Sequence, residues 1–152
     1  SSLVGGVRVS DKAGEILRAG RADDEKDMGH VNVVFLACKQ PQVRKAAEDA
    51  AKLLAGAHGG LLITLLNGVG HMDILHKALR YHDVNASLIH GVYHGGAAIE
   101  CPGVVRHTGS GKTDLGTPRE GLDELSEQLL ADVAAALTRA GLPAAVRGDV
   151  DS

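Results

Sequence analysis

At 152 residues, with 44% hydrophobic and 23% charged side chains, the chain has the size and composition of a single soluble domain built around one core. A net charge of −3 without a basic stripe, and only 2% aromatics, argue against the electrostatic and base-stacking surfaces of a nucleic-acid binder. No apolar run approaches the ~20 residues of a membrane span, and Ser1 to Gly6 has no basic segment leading into an apolar one, so neither membrane insertion nor a signal peptide is expected.

In chain order, Val7-Arg8-Val9 and Ile16-Leu17 flank Asp11-Lys12-Ala13-Gly14, which predicts a hairpin turning at the glycine. Val31 to Cys38 is a nearly unbroken β-branched and apolar run, the pattern of a strand buried on both faces. Pro41, tolerated in a first turn, then starts a helix through about Leu54. Its inward face is Val43, Ala46, Ala47, Ala50, Leu53 and Leu54, with Arg44, Lys45, Glu48, Asp49 and Lys52 opposite. Gly56 and Gly59-Gly60 end it, and Leu61 to Leu66 is a second buried strand. Met72 to Tyr81 is a short helix with Ile74, Leu75, Ala78 and Leu79 inward, and Ser87 to Tyr93 a third strand. Val104-Val105 and Thr113 to Leu115 are expected to form a hairpin around Gly109-Ser110-Gly111. Leu122 to Ala140 is the longest helix, stopped by Gly141 and Pro143, and Ala144 to Val146 a last strand. The alternation of strands and helices predicts an α/β fold with a doubly wound, mainly parallel sheet.

In such a sheet, ligands bind outside the carboxyl ends of the strands. Three polar or glycine-rich segments fall there: Lys39 to Gln42, Asn67 to Gly70, and His90 to Gly96. Lys39 offers a positive point charge to a phosphate or a reacting oxygen. Asn67 offers both donor and acceptor, and Gly68 and Gly70 let a ligand approach the backbone at a helix start. The competing reading is a solvated loop lysine and an ordinary Asn-Gly turn.

Other signals carry less. Gly109-Ser110-Gly111-Lys112-Thr113 resembles the tail of a phosphate-binding P-loop, but the required first glycine falls on Arg106, so a turn accounts for it better. None of the eight histidines has zinc-ligand spacing; no metal is expected, and the histidines are read as surface or turn residues. Glu124, Glu127 and Asp132 mark the solvated face of the long helix. Cys38 and Cys101, without CxxC spacing, are read as reduced thiols of an intracellular, cytoplasmic protein.

Four segments together resemble the nucleotide-binding domain of the ketopantoate reductase (2-dehydropantoate 2-reductase) family. They are VFLACKQPQV at Val34–Val43, LLNGVG at Leu65–Gly70, GVYHGGA at Gly91–Ala97 and PGVVRHTGSGKTDLG at Pro102–Gly116, in the family's order and spacing. The resemblance implies a Rossmann-like fold and an NADPH-dependent reduction of a 2-oxo acid on the pathway to pantothenate and coenzyme A. It further implies that Lys39 and Asn67 act where nicotinamide meets substrate, as both catalytic and cofactor-binding residues. Gln42, Gly68 and Gly70 would support that rim, and Ala97 would lie beside the cofactor, NADP.

The chain departs from the family pattern in three respects. It carries no GxGxxG loop, which implies that the first βαβ unit is lacking. It stops short of the family's helical second domain and its proton-donating Lys. His94-Gly95 stands where the pattern has a small polar residue followed by His. Residues 1–152 are therefore read as one partial nucleotide-binding domain whose exposed sheet edge is covered by another chain or domain, and which does not reduce ketopantoate alone. Two functional readings remain open: a segment of a reductase, or a degenerate reductase domain serving as a structural or interaction subunit. A small nucleotide-binding module is a third option.

Overall fold

The computed structural model describes the backbone of Arg8–Ser10 and Ile16–Arg18, and residues 31–67, 70–102 and 104–148. They fall into two compact units. Residues 1–28 and 94–111 contribute to the smaller, residues 29–93 and 112–152 to the larger.

The larger unit holds a five-stranded sheet. Its strands are β3 (Val33–Leu36), β4 (Gly60–Thr64), β5 (Ala86–Tyr93), β8 (Thr113–Gly116) and β9 (Ala144–Arg147), in spatial order β3-β4-β5-β8-β9. β3, β4 and β5 run parallel; β8 is antiparallel to β5, and β9 parallel to β8. Helices α1 (Val43–Leu53) and α2 (His71–Tyr81) are the crossovers β3-α1-β4 and β4-α2-β5, and α3 (Glu124–Arg139) joins β8 to β9.

Both sheet faces are covered, which is why β4, an interior strand, is apolar from Leu61 to Ile63. All five residues of β4 are buried. Leu62 packs with Val43, Ala47, Ala50, Leu54, Leu75 and Leu79 on the α1/α2 side. Its neighbours Leu61 and Ile63 face the other way, with Ile89, Leu115, Leu130 and Ala134 on the α3 side. The alternation of partners along one strand is the period-2 geometry of a pleated strand between two layers. Alanines on α1 (Ala47 and Ala51, both 0% exposed) allow the helix to sit close on the sheet.

Helix α3 starts where a polar cap is available. Asp123 accepts the backbone N–H of Ser126 at 2.9 Å and its hydroxyl at 3.0 Å, which satisfies one of the donors orphaned at a helix start. Those two donors, the backbone N–H foremost, hold the Asp123 carboxyl below the usual carboxylate range. At the end of α3, Gly141 adopts φ +84° and the backbone N–H of Leu142 donates to the Leu137 carbonyl at 2.9 Å. Glu124, Glu127 and Asp132 are exposed, as expected of the solvated face.

The smaller unit holds a four-stranded sheet of β1 (Arg8–Ser10), β2 (Ile16–Arg18), β6 (Gly96–Cys101) and β7 (Val104–Gly109), in order β2-β1-β7-β6. The expected N-terminal hairpin is present as the antiparallel β1–β2 pair, with Val9 opposite Leu17; its turn lies outside the described residues. β7 runs parallel to β1 and antiparallel to β6.

Three expectations require correction. The hairpin of Val104-Val105 with Thr113 to Leu115 does not form: β7 pairs with β6 and β1, whereas β8 pairs with β5 and β9. Burial explains the separation, since all four residues of β8 are buried and suit an interior position, while β7 alternates between half-buried and exposed. The run Val31 to Cys38 is not buried on both faces. Its strand is only Val33–Leu36, pairs with β4 alone among the described residues, and leaves Phe35 41% exposed. Finally, Pro41 does not open the α-helix: it lies in a short 3-10 turn, Gln40–Gln42, and α1 proper begins at Val43.

Candidate functional site

Because β3, β4 and β5 are parallel, their carboxyl ends lie on one rim of the larger unit, and the segments after β3 and β4 meet there. The first is a 3-10 turn capped by Lys39. The backbone N–H of Gln42 donates to the Lys39 carbonyl at 2.9 Å, and that of Lys39 donates to the Gln42 side-chain oxygen at 3.3 Å. The Gln42 side-chain oxygen thereby braces the turn, and the Lys39 side chain is left exposed on it. The second segment begins at Asn67, also exposed. It leaves β4 through Thr64, fully buried, whose hydroxyl accepts the backbone N–H of Leu66 at 3.3 Å.

One hydrogen bond joins the two segments. The Gln40 side-chain amide donates to the Asn67 carbonyl at 3.3 Å, across 27 residues of sequence. Lys39, Gln42 and Asn67 thus share one rim, with Gln40 as the tie. Gly70 completes the second segment as the residue preceding α2, with φ +87°. Apart from its own chain neighbours, nothing described lies within 4 Å of where a Cβ would be, so conformation and not space demands glycine there. Gly68 lies outside the described residues. Ala97 is exposed on β6 of the smaller unit.

The two helix starts on this rim differ electrostatically. α2 carries Asp73 in its first turn, which already complements the helix dipole and opposes an incoming anion. α1 has no acid in its first turn and is preceded by Lys39, so an anionic or oxygen-rich group is favoured at the β3 end. The rim can therefore hold a polarised oxygen near Lys39 and a carboxamide near Asn67. No side chain here carries hydride, so a reduction at this rim requires a redox cofactor. The exposed lysine and asparagine fit the polar end of a nicotinamide, whereas the glycine-rich loop that cradles a pyrophosphate is not among the 152 residues.

Two further residues have no role of their own assigned from the sequence. Gln40 is the tie just described. His71, read as one of several surface or turn histidines, is instead 1% exposed, and its ring lies 5.7 Å from that of His90, tilted by 57°. Its place at the inward i, i+4 position of α2 relative to Leu75 was the available signal.

Among the described residues no three of His, Cys, Asp and Glu come together as a metal-binding group, and no helix is long and apolar enough to cross a membrane. Cys38 and Cys101 are free thiols. Gly111 packs so closely on the backbone of His94 and Gly95 that a Cβ would overlap it, which gives the Gly-Ser-Gly segment a steric reason unrelated to phosphate. A hollow of about 280 Å³ between α1 and α2, lined by Arg44, Glu48, Lys77 and Tyr81 among others, includes no residue of the rim.

Comparison with known proteins places this architecture. The family described as "Ketopantoate reductase PanE/ApbA" matches residues 5–120. The 2-dehydropantoate 2-reductase of Halobacterium salinarum is 31% identical over 143 residues, which is 93% of this chain and 44% of that protein. Among solved structures, a putative ketopantoate reductase from Ralstonia solanacearum superposes with a TM-score of 0.71 at 23% identity, covering 97% of this chain and 50% of that one. A D-mandelate dehydrogenase, solved with NADH and anilino(oxo)acetate, superposes with a TM-score of 0.70 at 24% identity, covering 95% and 44%. At these identities the superpositions establish the fold, a Rossmann-like α/β domain with a mainly parallel sheet. The chain spans less than half the length of the curated relative. The family match extends over well more than half of the 152 residues, from the N-terminal hairpin through the rim to the end of β8, and the chain belongs to the ketopantoate reductase family.

Proposed function

We propose that residues 1–152 are the nicotinamide-facing part of an NADPH-dependent reductase of a 2-oxo acid, with 2-dehydropantoate as substrate and pantoate as product. The observation that carries this reading is the Gln40–Asn67 hydrogen bond at 3.3 Å, which sets Lys39 and Asn67 on one rim of adjacent parallel strands. In it, the bound nicotinamide supplies the hydride, and the substrate carbonyl takes up that hydride and one proton to become a secondary alcohol.

The chain's own part is positional and electrostatic. The Lys39 ammonium polarises the reacting oxygen or holds the cofactor, and the Asn67 amide orients the carboxamide. Gln42 braces Lys39, Gly68 and Gly70 allow close approach at the second turn, and Ala97 lies beside the cofactor. The D-mandelate dehydrogenase that shares this fold was solved with NADH and anilino(oxo)acetate, which supports a nicotinamide cofactor in this reading. The same reading takes the chain as a partial nucleotide-binding domain of a cytoplasmic enzyme of pantothenate synthesis. Another chain or domain covers the open edge of β3 and supplies the proton donor.

Titration of the chain with NADPH, followed by nicotinamide fluorescence, tests the proposal. Saturable binding that weakens at least several-fold in both Lys39→Ala and Asn67→Ala supports it. Binding that is indifferent to both substitutions refutes the assigned roles. No feature of the described residues favours a purely structural or interaction subunit.

A further inference from the structure

The hollow of about 280 Å³ between α1 and α2 has an apolar floor and a charged surround. The floor is Ile74 and Ala78, both part of the packing between the two helices. Tyr81 lines it further along α2; its side chain is 85% exposed and its ring meets that of His82 edge-on, with centroids 5.1 Å apart. Three exposed charged side chains complete the lining, Arg44 and Glu48 from α1 and Lys77 from α2.

Among the described residues, none of these three charges is in an ion pair. Arg44 and Glu48 stand four residues apart on one helix, but with the base N-terminal to the acid, the less favourable order for pairing. The neighbouring Lys45 is held by Asp49 at 2.5 Å, and Glu48 acts on it more weakly than Asp49 does. The hollow therefore presents two positive charges and one negative around an apolar floor. A complementary ligand carries two anionic groups and one cationic group on a short hydrocarbon chain. An acidic α-amino acid has that pattern. Its carboxylates answer Arg44, whose fork suits a carboxylate, and Lys77; its ammonium answers Glu48; its methylenes lie on Ile74 and Ala78. The volume falls just under the range of about 300–1,000 Å³ for larger ligands, which suits an amino acid and excludes a dinucleotide.

We propose that this hollow is a binding site for a free acidic amino acid. It shares no residue with the rim and does not depend on the function proposed above.

NMR of the nitrogen-15-labelled 152-residue chain tests this, near neutral pH and at low salt, where exposed charges are least screened. The probes are L-glutamate, glutarate, which lacks the ammonium, and 4-aminobutyrate, which lacks one carboxylate. Glutamate should give saturable shifts at amides of both α1 and α2, with a Kd on the order of 1 mM. Glutarate and 4-aminobutyrate should each bind about two- to fivefold more weakly, the range expected for losing one exposed charge pair. Glu48→Gln should weaken glutamate by a similar factor while leaving glutarate as tight or tighter, because it removes both the partner of the ammonium and a repulsion of carboxylates. Arg44→Gln should weaken both ligands. All these positions are exposed, and unchanged β4 amide shifts check that the fold is kept. No saturation by ~50 mM glutamate overturns the proposal. So do equal affinities for the three probes, shifts confined to one helix, or parallel weakening of glutamate and glutarate in Glu48→Gln.

Discussion

Gly91→Ala tests whether the fold is as tightly closed at the rim end of β5 as its geometry says. Gly91 is buried, opposite Leu115 of β8. A Cβ built there would lie 2.7 Å from Leu65 Cδ2, 3.1 Å from the Thr64 carbonyl oxygen and 3.3 Å from Leu115 Cδ2. Comfortable contacts between carbons are about 3.5–4.0 Å. The half-buried tip of Leu65 can swing aside. The Thr64 carbonyl belongs to the backbone of β4, and Leu115 is 0% exposed, so neither yields easily. Overpacking of this kind costs about 1–3 kcal/mol. Alanine returns roughly 0.5–1 kcal/mol by losing less backbone entropy on folding. The net expectation is destabilisation centred on about 1 kcal/mol, within about 0–2.5 kcal/mol, and a fall in Tm of about 2–4 °C for each kcal/mol lost. With no Trp in the chain, urea unfolding is best followed by far-UV circular dichroism. The midpoint should fall with an unchanged slope. Gly148→Ala is the control, since nothing lies within 4 Å of its added carbon; it should stay within about 0.5 kcal/mol of wild type. A Gly91→Ala midpoint above wild type would refute the close approach of β4, β5 and β8. Gly91 opens one of the segments that resemble the family pattern, so a loss of stability without a change in nucleotide affinity would assign that glycine to packing.

Three further outcomes are expected. Leu75→Ala, at a fully buried position facing α1 and β4, should cost about 2–5 kcal/mol in the same urea assay; a loss under ~1 kcal/mol would mean that the α1/α2 layer collapses around the gap. Asp123, whose carboxyl is held low by the Ser126 N–H and hydroxyl, contributes stability that is present above its unfolded pKa of about 3.9 and lost as pH falls through the folded one. Asp123→Asn should therefore show a flatter acid limb in stability measured from pH 6 to 2, and an acid limb identical to wild type would count against the cap. The purified 152-residue chain should give no change in absorbance at the reduced-nicotinamide band when mixed with NADPH and ketopantoate; substrate-dependent oxidation would show that it is catalytically sufficient.

The candidate site was legible in its residues but not in its joinery. Lys39 and Asn67 stand out because a polar residue directly after an apolar run marks the carboxyl end of a strand, and that signal is local. The Gln40–Asn67 bond and the His71–His90 contact were hidden, because each joins residues that come together only when β3, β4 and β5 lie side by side. The burial of His71 is invisible in the sequence for the same reason. Imidazole reads as polar in a sequence, and its burial depends on what β5 presents to it.

The order and type of most elements follow from short-range patterns; β6 (Gly96–Cys101), a mostly exposed strand, is an exception and was not expected. Alternation of apolar residues with period 3.6 announces α1, α2 and α3, and the unbroken apolar run announces β4, because these depend on neighbours within a few residues. Which sheet a strand joins does not. β7 and β8 are separated by three residues, yet one pairs with β6 and β1 and the other with β5 and β9. Gly109-Ser110-Gly111 permits a hairpin or a crossing between sheets equally well. The outcome rests on where buried surface is available, and four buried residues of β8 find it only between β5 and β9. Hydrogen-bond partners across a sheet are a property of the assembled core, and no window of local sequence contains them.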